Sequence, residues 1–232
     1  MIVLGIESAT PVASVAIVSD NKLLGEIMLN TGLTHSEQLL PLIDDLLKQV
    51  RVSLMDLDGI AVAGGPGSFT GLRIGMATAK GLAQGTEKPL VSVSTLLAFA
   101  FLQAGRPGLV APLMNARKNE VYTALYKFEG EEYEQLEPEQ AIGPQEWAQK
   151  LDSYQKPVLL SGDGVKDYFD VWKQNLGEKA IFPSNLFLTA RGASVAWLGQ
   201  QRLKRGEKDD LFDLKPKYIR SSEAQKKLDA IR

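Results

Sequence analysis

The sequence predicts an α/β fold in which mixed β-sheets are flanked by helices. Three short apolar runs at residues 1–6, 12–18 and 22–29 are typical of strands, and the turn at 19–21 indicates that they form an antiparallel meander. A helical pattern follows at 34–50, and strand-like and helix-like segments then alternate to residue 105. The N-terminal lobe is therefore predicted to have the order βββαβα.

The first predicted helix has a clear start signal. Thr34 is a candidate N-cap, and Glu37 three residues later completes a capping-box pattern. Apolar residues recur on one face of this helix. Pro41 lies inside it, where a proline costs roughly 3 kcal/mol, so we expect a kink or a break there.

The remaining elements complete the expected architecture. Strands are predicted at 58–64 and 89–94 and helices from Thr70 to Gln84 and at 95–105, an order that occurs in ribonuclease-H-like and actin-like folds. In the second half we predict a strand pair at 109–114 and 121–128, an acidic loop, a strand at 156–164 and a helix at 189–206 capped by Thr189. We expect one lobe at 1–104, with the tail 215–232 packed on it, and a second at 105–214.

Composition excludes several kinds of site. The 232 residues contain no cysteine, which removes disulfides and thiolate chemistry, and a single histidine, His35, so a metal site cannot be built from a histidine pair. His35 itself is expected to be a surface or cap residue. The formal net charge of −2 argues against a chain that holds a nucleic acid alone. Without an export signal or a membrane span, a cytoplasmic protein is expected.

Charge is uneven along the chain. Residues 129–140 carry six glutamates, whereas 215–232 are rich in lysine and arginine. Solvated surfaces and docking of a partner are both compatible with this pattern.

The glycine-rich segment 62–83 does not match a nucleotide-binding fingerprint. Leu72 and Arg73 follow Gly71, so the Gly-Lys-Ser/Thr of a P-loop is missing, and the spacing of Gly65, Gly67 and Gly71 is not Gly-x-Gly-x-x-Gly. Two alternatives remain, an anion site at a helix N-terminus and a tight strand-to-helix turn.

Small residues form a stripe on the predicted second helix. Gly71, Gly75, Ala79 and Ala83 recur every four residues, which allows another backbone to approach closely. That backbone belongs either to the chain's own sheet or to a partner's helix. If it is a partner's, Gly75→Leu should spare the fold and weaken binding.

The hairpin after the first strand is a second candidate site. Glu7, Ser8 and Thr10 stand where actin-like ATPases carry an acid near the metal and phosphates of their nucleotide, although serine and threonine are also ordinary turn residues.

Residues 1–100 resemble the TsaB family, also called YeaZ. The segments GIESATPVASVAIV, THSEQLLPLIDDLL and PLVSVSTLLAFA carry the resemblance, and GPGSFTGLRIG at 65–75 is the most specific of the matching motifs. Weaker similarities lie at 114–122, 160–164 and 216–220. One departure is Asn115, which stands where the family often has aspartate.

The resemblance implies a two-lobed actin-like (ASKHA) fold and an accessory function. The family is similar to its paralogue TsaD and acts with TsaD and TsaE to place a threonylcarbamoyl group on the tRNA adenosine beside the anticodon. TsaD carries a histidine pair just after the strand that corresponds to 89–94, whereas this chain reads TLLAFA there. A non-catalytic scaffold with no metal site of its own is therefore expected.

The resemblance also implies the partners and the interface. TsaD is expected to bind helices 35–50 and 71–84 as a bundle, TsaE to join the complex, tRNA to bind only through it, and the isolated chain to form a homodimer; no membrane is expected. The predicted interface residues are His35, Leu39, Leu42, Ile43, Leu46, Gly71, Leu72, Gly75, Met76 and Ala79.

No cofactor is expected on the isolated chain, and ATP or ADP at the complex interface remains an open alternative. The candidates for contact with it are Glu7, Ser8, Thr10, Gly65 and Gly67. A second function, an active actin-like ATPase or phosphotransferase, rests on the same residues. A third, peptidase activity, lacks a credible metal site.

Overall fold

The computed structural model describes residues 1–20, 22–185 and 188–219. Contacts within the chain define two compact units. Unit 1 combines Met1–Ala98 with Ala190–Lys217, and unit 2 contains Phe99–Thr189 together with residues 218–219. No helix in the described part of the chain is long and apolar enough to cross a membrane.

Unit 1 is built on a five-stranded mixed sheet with the order β3-β2-β1-β4-β5. Its strands are β1 (Ile2–Glu7), β2 (Ala13–Ser19), β3 (Lys22–Leu29), β4 (Gly59–Gly65) and β5 (Leu90–Ser94). The first three strands are antiparallel neighbours, and β1, β4 and β5 run parallel. The predicted meander and the βββαβα order are confirmed.

Helices cover both faces of this sheet. The helices α1 (His35–Val50) and α2 (Phe69–Thr86) pack on the face that carries Leu4 and Ile6. The helix α7 (Gly192–Lys204) packs on β1, β2, β4 and β5. A Cβ atom added at Gly5 would lie 2.4 Å from the backbone nitrogen of Ala196, so glycine is required where α7 crosses the sheet.

The start of α1 agrees with the prediction and its interior does not. The Thr34 N–H donates to Oε2 of Glu37 at 3.0 Å, which satisfies a backbone donor before the first turn. Of the kink or break expected at Pro41, the break is wrong, because α1 runs without interruption from His35 to Val50. Pro41 lies on the exposed side, while Leu42 and Ile43 beside it are held in the core.

Unit 2 has a second five-stranded sheet, with the order β10-β9-β6-β7-β8. Its strands are β6 (Gly108–Arg117), β7 (Glu120–Glu129), β8 (Glu132–Ile142), β9 (Val158–Ser161) and β10 (Ala180–Ile181). The short helix α3 (Thr95–Phe101) contains the point in the sequence where unit 1 gives way to unit 2. The helices of unit 2 that follow it are α4 (Pro144–Ser153), α5 (Gly164–Asp167) and α6 (Phe169–Leu176). Trp147 and Trp172 are fully buried in the core of this unit.

Two predictions for the second half are corrected. The acidic segment 129–140 was expected to be a loop, but most of it forms β8, paired with β7 along its length. Tyr133 packs against Tyr126 and Phe128, so one side of this acidic strand is anchored by rings.

The second correction concerns the lobe boundary. Residues 190–214 were expected in the second lobe, whereas their contacts group them with the first sheet. The physical reason is that α7 buries its apolar face against β1 and β4. The tail up to Lys217 also belongs to unit 1, where the Lys217 N–H donates to the Gly64 carbonyl at 2.7 Å. Residues 220–232 of the predicted tail lie outside the described residues.

Candidate functional site

The β1–β2 hairpin meets the N-termini of α1 and α2 at one end of unit 1. The Ser68 N–H, just before α2, donates to the Ala9 carbonyl at 2.7 Å. His35, the first residue of α1, places its Nε2 2.8 Å from the Thr10 carbonyl oxygen. The half-buried His35 ring also lies beside Gly71. The hairpin thus joins the starts of both helices.

The glycines of the turn between β4 and α2 contact the chain's own backbone. A Cβ atom added at Gly67 would lie 2.5 Å from the Ala9 carbonyl oxygen, and one at Gly65 would lie 2.6 Å from the Lys217 carbonyl oxygen. Gly65 also has a φ of 110° and precedes a cis bond to Pro66. Close packing of the strand-to-helix turn therefore accounts for both glycines.

Glu7 is the unusual group of the hairpin. Its side chain is fully buried, and its Oε1 accepts the Ala9 N–H at 2.6 Å. Its Oε2 has no hydrogen-bond partner among the described residues. Burial raises the pKa of Glu7 to about 7, although the hydrogen bond from Ala9 lowers it in part. This carboxyl can exchange a proton near neutral pH.

The two hydroxyls of the hairpin are used locally. Ser8 Oγ donates to the Gly71 carbonyl at 2.9 Å, and Thr10 Oγ1 accepts the Val12 N–H at 3.3 Å. Ser8 thus connects the hairpin to α2, and the Thr10 hydroxyl stabilises the turn of the hairpin by bonding to the backbone two residues later.

The predicted interface residues on α1 and α2 require a correction. All but His35 are buried inside unit 1, where they pack between the helices and the sheet: Leu39, Leu42, Ile43, Leu46, Gly71, Leu72, Gly75, Met76 and Ala79. The small-residue stripe faces the chain's own hairpin, since a Cβ at Gly75 would lie 2.1 Å from Ser8 Oγ. A leucine at Gly75 would disturb this core before it met a partner.

The outward faces of the two helices carry a different set of residues. Leu40 is 55% exposed on α1, and Pro41 beside it is exposed. On α2 the exposed small residues are Ala77, Gly81 and Gly85, a second series with four-residue spacing. A Cβ atom added at Gly81 or Gly85 would meet nothing within 4 Å. The four-residue spacing of this series can be seen in the sequence, but the sequence does not show that these residues face the solvent.

The position that departs from the family pattern is hydrogen-bonded in unit 2. Asn115 donates from Nδ2 to Asp167 Oδ2 at 2.6 Å, and its backbone N–H donates to Asp163 Oδ1 at 3.2 Å. Burial raises the pKa of Asp163, and the nearby Asp167 carboxylate raises it further. The amide of Asn115 donates a hydrogen bond at a place where a third carboxylate would be repelled by those of Asp163 and Asp167. Among the described residues no three His, Cys, Asp or Glu side chains are grouped as a metal site would need.

The fold defines the class of protein first. Two mixed five-stranded sheets with flanking helices are the architecture of the actin-like (ASKHA) class. A hexokinase of the ROK type from Thermus thermophilus shares this fold, with a TM-score of 0.51 at 11% identity over 89% of this chain and 100% of its own.

Closer relatives identify the family. The TsaB proteins of Bacillus subtilis and Escherichia coli, each described as a tRNA threonylcarbamoyladenosine biosynthesis protein, are 30% and 29% identical over 98% of this chain, covering 97% and 98% of their own lengths. The structure of YeaZ from Pseudomonas aeruginosa superposes with a TM-score of 0.80 at 27% identity, covering 94% of this chain and 99% of its own. The chain belongs to the TsaB family, a non-catalytic component of tRNA threonylcarbamoyladenosine biosynthesis.

Length separates this family from its transferase relatives. A family profile described as "TsaD: tRNA N6-adenosine threonylcarbamoyltransferase" matches residues 29–228. A transferase of that description from Lawsonia intracellularis is 33% identical, but the match covers 56% of this chain and only 41% of the transferase. The chain therefore spans nearly all of a TsaB protein and less than half of a transferase.

Proposed function

We propose that this chain is the scaffold subunit of a complex that places the threonylcarbamoyl group on the tRNA adenosine beside the anticodon. In this proposal it acts in the cytoplasm, binds TsaD directly, provides a platform for TsaE, and meets tRNA only through the complex. The observation that carries the proposal is the exposed apolar and small-residue surface on α1 and α2 in a chain of the TsaB family.

The outward surface suits a helical partner. Ala77, Gly81 and Gly85 leave α2 smooth over more than two turns, so a second helix can approach to a short interaxial distance. Leu40 and Pro41 supply apolar area on the adjacent helix. In the absence of TsaD the same surface would pair two copies of this chain, because a two-fold contact uses one patch twice.

An active ATPase or phosphotransferase is the less favoured alternative. Gly65 and Gly67 are used in packing against Lys217 and Ala9, and the hydroxyls of Ser8 and Thr10 bond within the chain. Binding of ATP or ADP at the interface of the assembled complex remains an open alternative. In the hairpin, the candidate group for such contact is Glu7, whose Oε2 has no hydrogen-bond partner among the described residues.

The test is to mix the purified chain with TsaD and measure the complex by sedimentation velocity. We expect a complex with the unchanged chain and a clear loss of affinity with Gly81→Leu, because the new side chain would hold the partner helix away. In urea unfolding, Gly81→Leu should be at least as stable as the unchanged chain, since Gly81 faces open space and leucine favours a helix more than glycine does.

The matched control is Gln174→Leu, which adds a leucine at an exposed position of α6 in unit 2. It should bind TsaD as the unchanged chain does. Failure of the unchanged chain to bind TsaD would overturn the scaffold proposal, and full binding by Gly81→Leu would overturn the assignment of the surface.

A further inference from the structure

Unit 2 contains a basic pocket whose lining includes no residue of α1 or α2. It is a cavity of about 220 Å³ whose lining includes Arg106, Lys127 and Lys156 and contains no carboxylate. This is unusual in its surroundings, because the neighbouring segment 129–134 carries four glutamates.

The sheet places the three cations around an apolar floor. Leu109 on β6 pairs with Lys127 on β7 and with Val158 on β9, so the pocket opens at one end of three adjacent strands. Leu109, Val110 and Leu159 line it and are each at least nine-tenths buried. An occupant would therefore meet both positive charge and hydrocarbon.

The loops that carry the cations are held in place. The Gly105 N–H, next to Arg106, donates to the Gly130 carbonyl at 2.8 Å. Before Lys156, the Gln155 side-chain oxygen accepts from Lys179 Nζ at 3.1 Å. The rim of the pocket is thus fixed before any ligand binds, which reduces the entropy lost on binding.

The balance of charge indicates the class of ligand. Lys127 Nζ forms an ion pair with Glu129 at 2.6 Å, so its charge is already compensated. Within the described chain, no hydrogen bond or ion pair involves the side chain of Arg106 or of Lys156, and both residues are exposed. Two uncompensated positive charges match a dianion, and the planar guanidinium fork of arginine fits a phosphate.

The size and the neighbours of the pocket limit the ligand. A volume of about 220 Å³ holds a phosphate and one ring rather than a larger molecule. Glu129, Glu132 and Glu134 line the adjoining depression on the far side of Lys127, where they would repel an extended polyanion such as RNA.

We propose that Arg106 and Lys156 form a binding site for a small phosphomonoester whose apolar body rests on Leu109, Val110 and Leu159. The site shares no residue with the surface assigned to TsaD, so the proposal can be tested independently of the scaffold function.

The test is an NMR titration of the full chain, labelled with ¹⁵N, with phenyl phosphate. We expect saturable shifts of the backbone amides of Arg106, Lys156 and the non-proline residues at 108–110 and 158–159. Inorganic phosphate, which lacks the ring, and benzoate, which carries one charge, should each bind more weakly at the same residues. The double variant Arg106→Gln/Lys156→Gln should weaken phenyl phosphate binding by about tenfold or more, which corresponds to about 1.4 kcal/mol.

The control variant is Lys166→Gln/Lys173→Gln, which removes two exposed cations from the same unit outside the pocket. It should bind phenyl phosphate as the unchanged chain does. Shifts elsewhere, or unaltered binding by the Arg106/Lys156 variant, would overturn the site. Benzoate binding as tightly as phenyl phosphate would overturn the dianion assignment, and tighter binding of a short RNA at these residues would overturn the small-ligand assignment. Circular dichroism checks that all variants are folded.

Discussion

Single residues in this protein are decided by their surroundings more than by their type. In the sequence Glu7 is a candidate for contact with the metal and phosphates of a nucleotide. In the fold it is a fully buried carboxyl, and one of its oxygens has no hydrogen-bond partner among the described residues. Folding raises its pKa from 4.5 to about 7, so the folded state holds more protons than the unfolded state between these pH values. Its contribution to stability is present below pH 4.5 and is lost as the pH rises to about 7.

We therefore predict that Glu7→Gln removes a pH dependence of stability. In the unchanged chain, deprotonation of Glu7 should lower the free energy of unfolding by on the order of 3 kcal/mol between pH 4.5 and 7. Glu7→Gln should lack this fall and be the more stable protein at pH 8, because an amide has no charge to desolvate. Urea unfolding at pH 5 and at pH 8 measures both.

The control is Glu131→Gln, which changes an exposed carboxylate in the β7–β8 turn. Its pH dependence should match that of the unchanged chain. Parallel curves for Glu7→Gln and the unchanged chain would contradict the role assigned to burial.

At the scale of elements, α2 carries two series of small residues with opposite directions. One series faces the β1–β2 hairpin, where a Cβ atom at Gly71 would lie 2.1 Å from the Ser8 carbonyl oxygen. The other, which includes Gly81, faces open space. Small residues with the same spacing therefore allow close packing within unit 1 on one face of α2, and on the opposite face they leave a smooth exposed surface.

This difference predicts opposite effects of one substitution at two positions of α2. Gly71→Ala should destabilise the protein by about 1–3 kcal/mol, because the backbone of the hairpin must move to admit the methyl group. Gly81→Ala should stabilise it by about 0.5–1 kcal/mol, because alanine loses less conformational entropy in a helix. Chemical denaturation of the two variants side by side gives the comparison, and equal effects would contradict the directions assigned to the two series.

At the scale of the whole molecule, the first unit is completed by a distant part of the chain. Arg202 on α7 donates to the Ser92 carbonyl at 2.6 Å and to Asp209 Oδ1 at 3.0 Å, and Asp209 Oδ2 accepts the Ser92 N–H. Leu211 and Leu214 pack against the core of the same unit. Residues 190–217 are therefore part of the first unit and not of a second lobe.

We predict that residues 1–104 alone do not fold, because removal of α7 exposes one whole face of the sheet. Met1–Ala98 joined to Ala190–Lys217 by a flexible Gly/Ser linker should fold cooperatively. Dispersion of the amide signals in NMR spectra and a sigmoidal urea transition distinguish the two. A cooperative transition for residues 1–104 would contradict the assignment of α7 to this unit.

Several local elements and the family can be predicted from short-range patterns in the sequence. The meander, the capping box of Thr34 and Glu37, the antiparallel pair β6–β7 and the motif at 65–75 all depend on neighbours a few residues apart, which is why patterns of spacing reveal them.

The start of α7 depends on contacts between distant parts of the chain. Thr189 was expected to cap α7, yet the first residue before that helix is Arg191. The N-terminal N–H groups of α7 are satisfied from far along the chain, with Gly192 bonded to Ser14 Oγ at 2.9 Å and Ala193 to Glu26 Oε1 at 3.0 Å. Such partners are separated by more than 160 residues, and no local pattern encodes them.

The same reason explains the outcome for the candidate site. Small residues every four positions predict close packing, but whether Gly75 or Gly81 meets the sheet depends on the rotation of α2 about its axis. That rotation is set by Met76, Ala79 and Ala83 entering the core formed with β1 and β4. The spacing of the small residues is thus a property of the sequence, and their role is a property of the packed molecule.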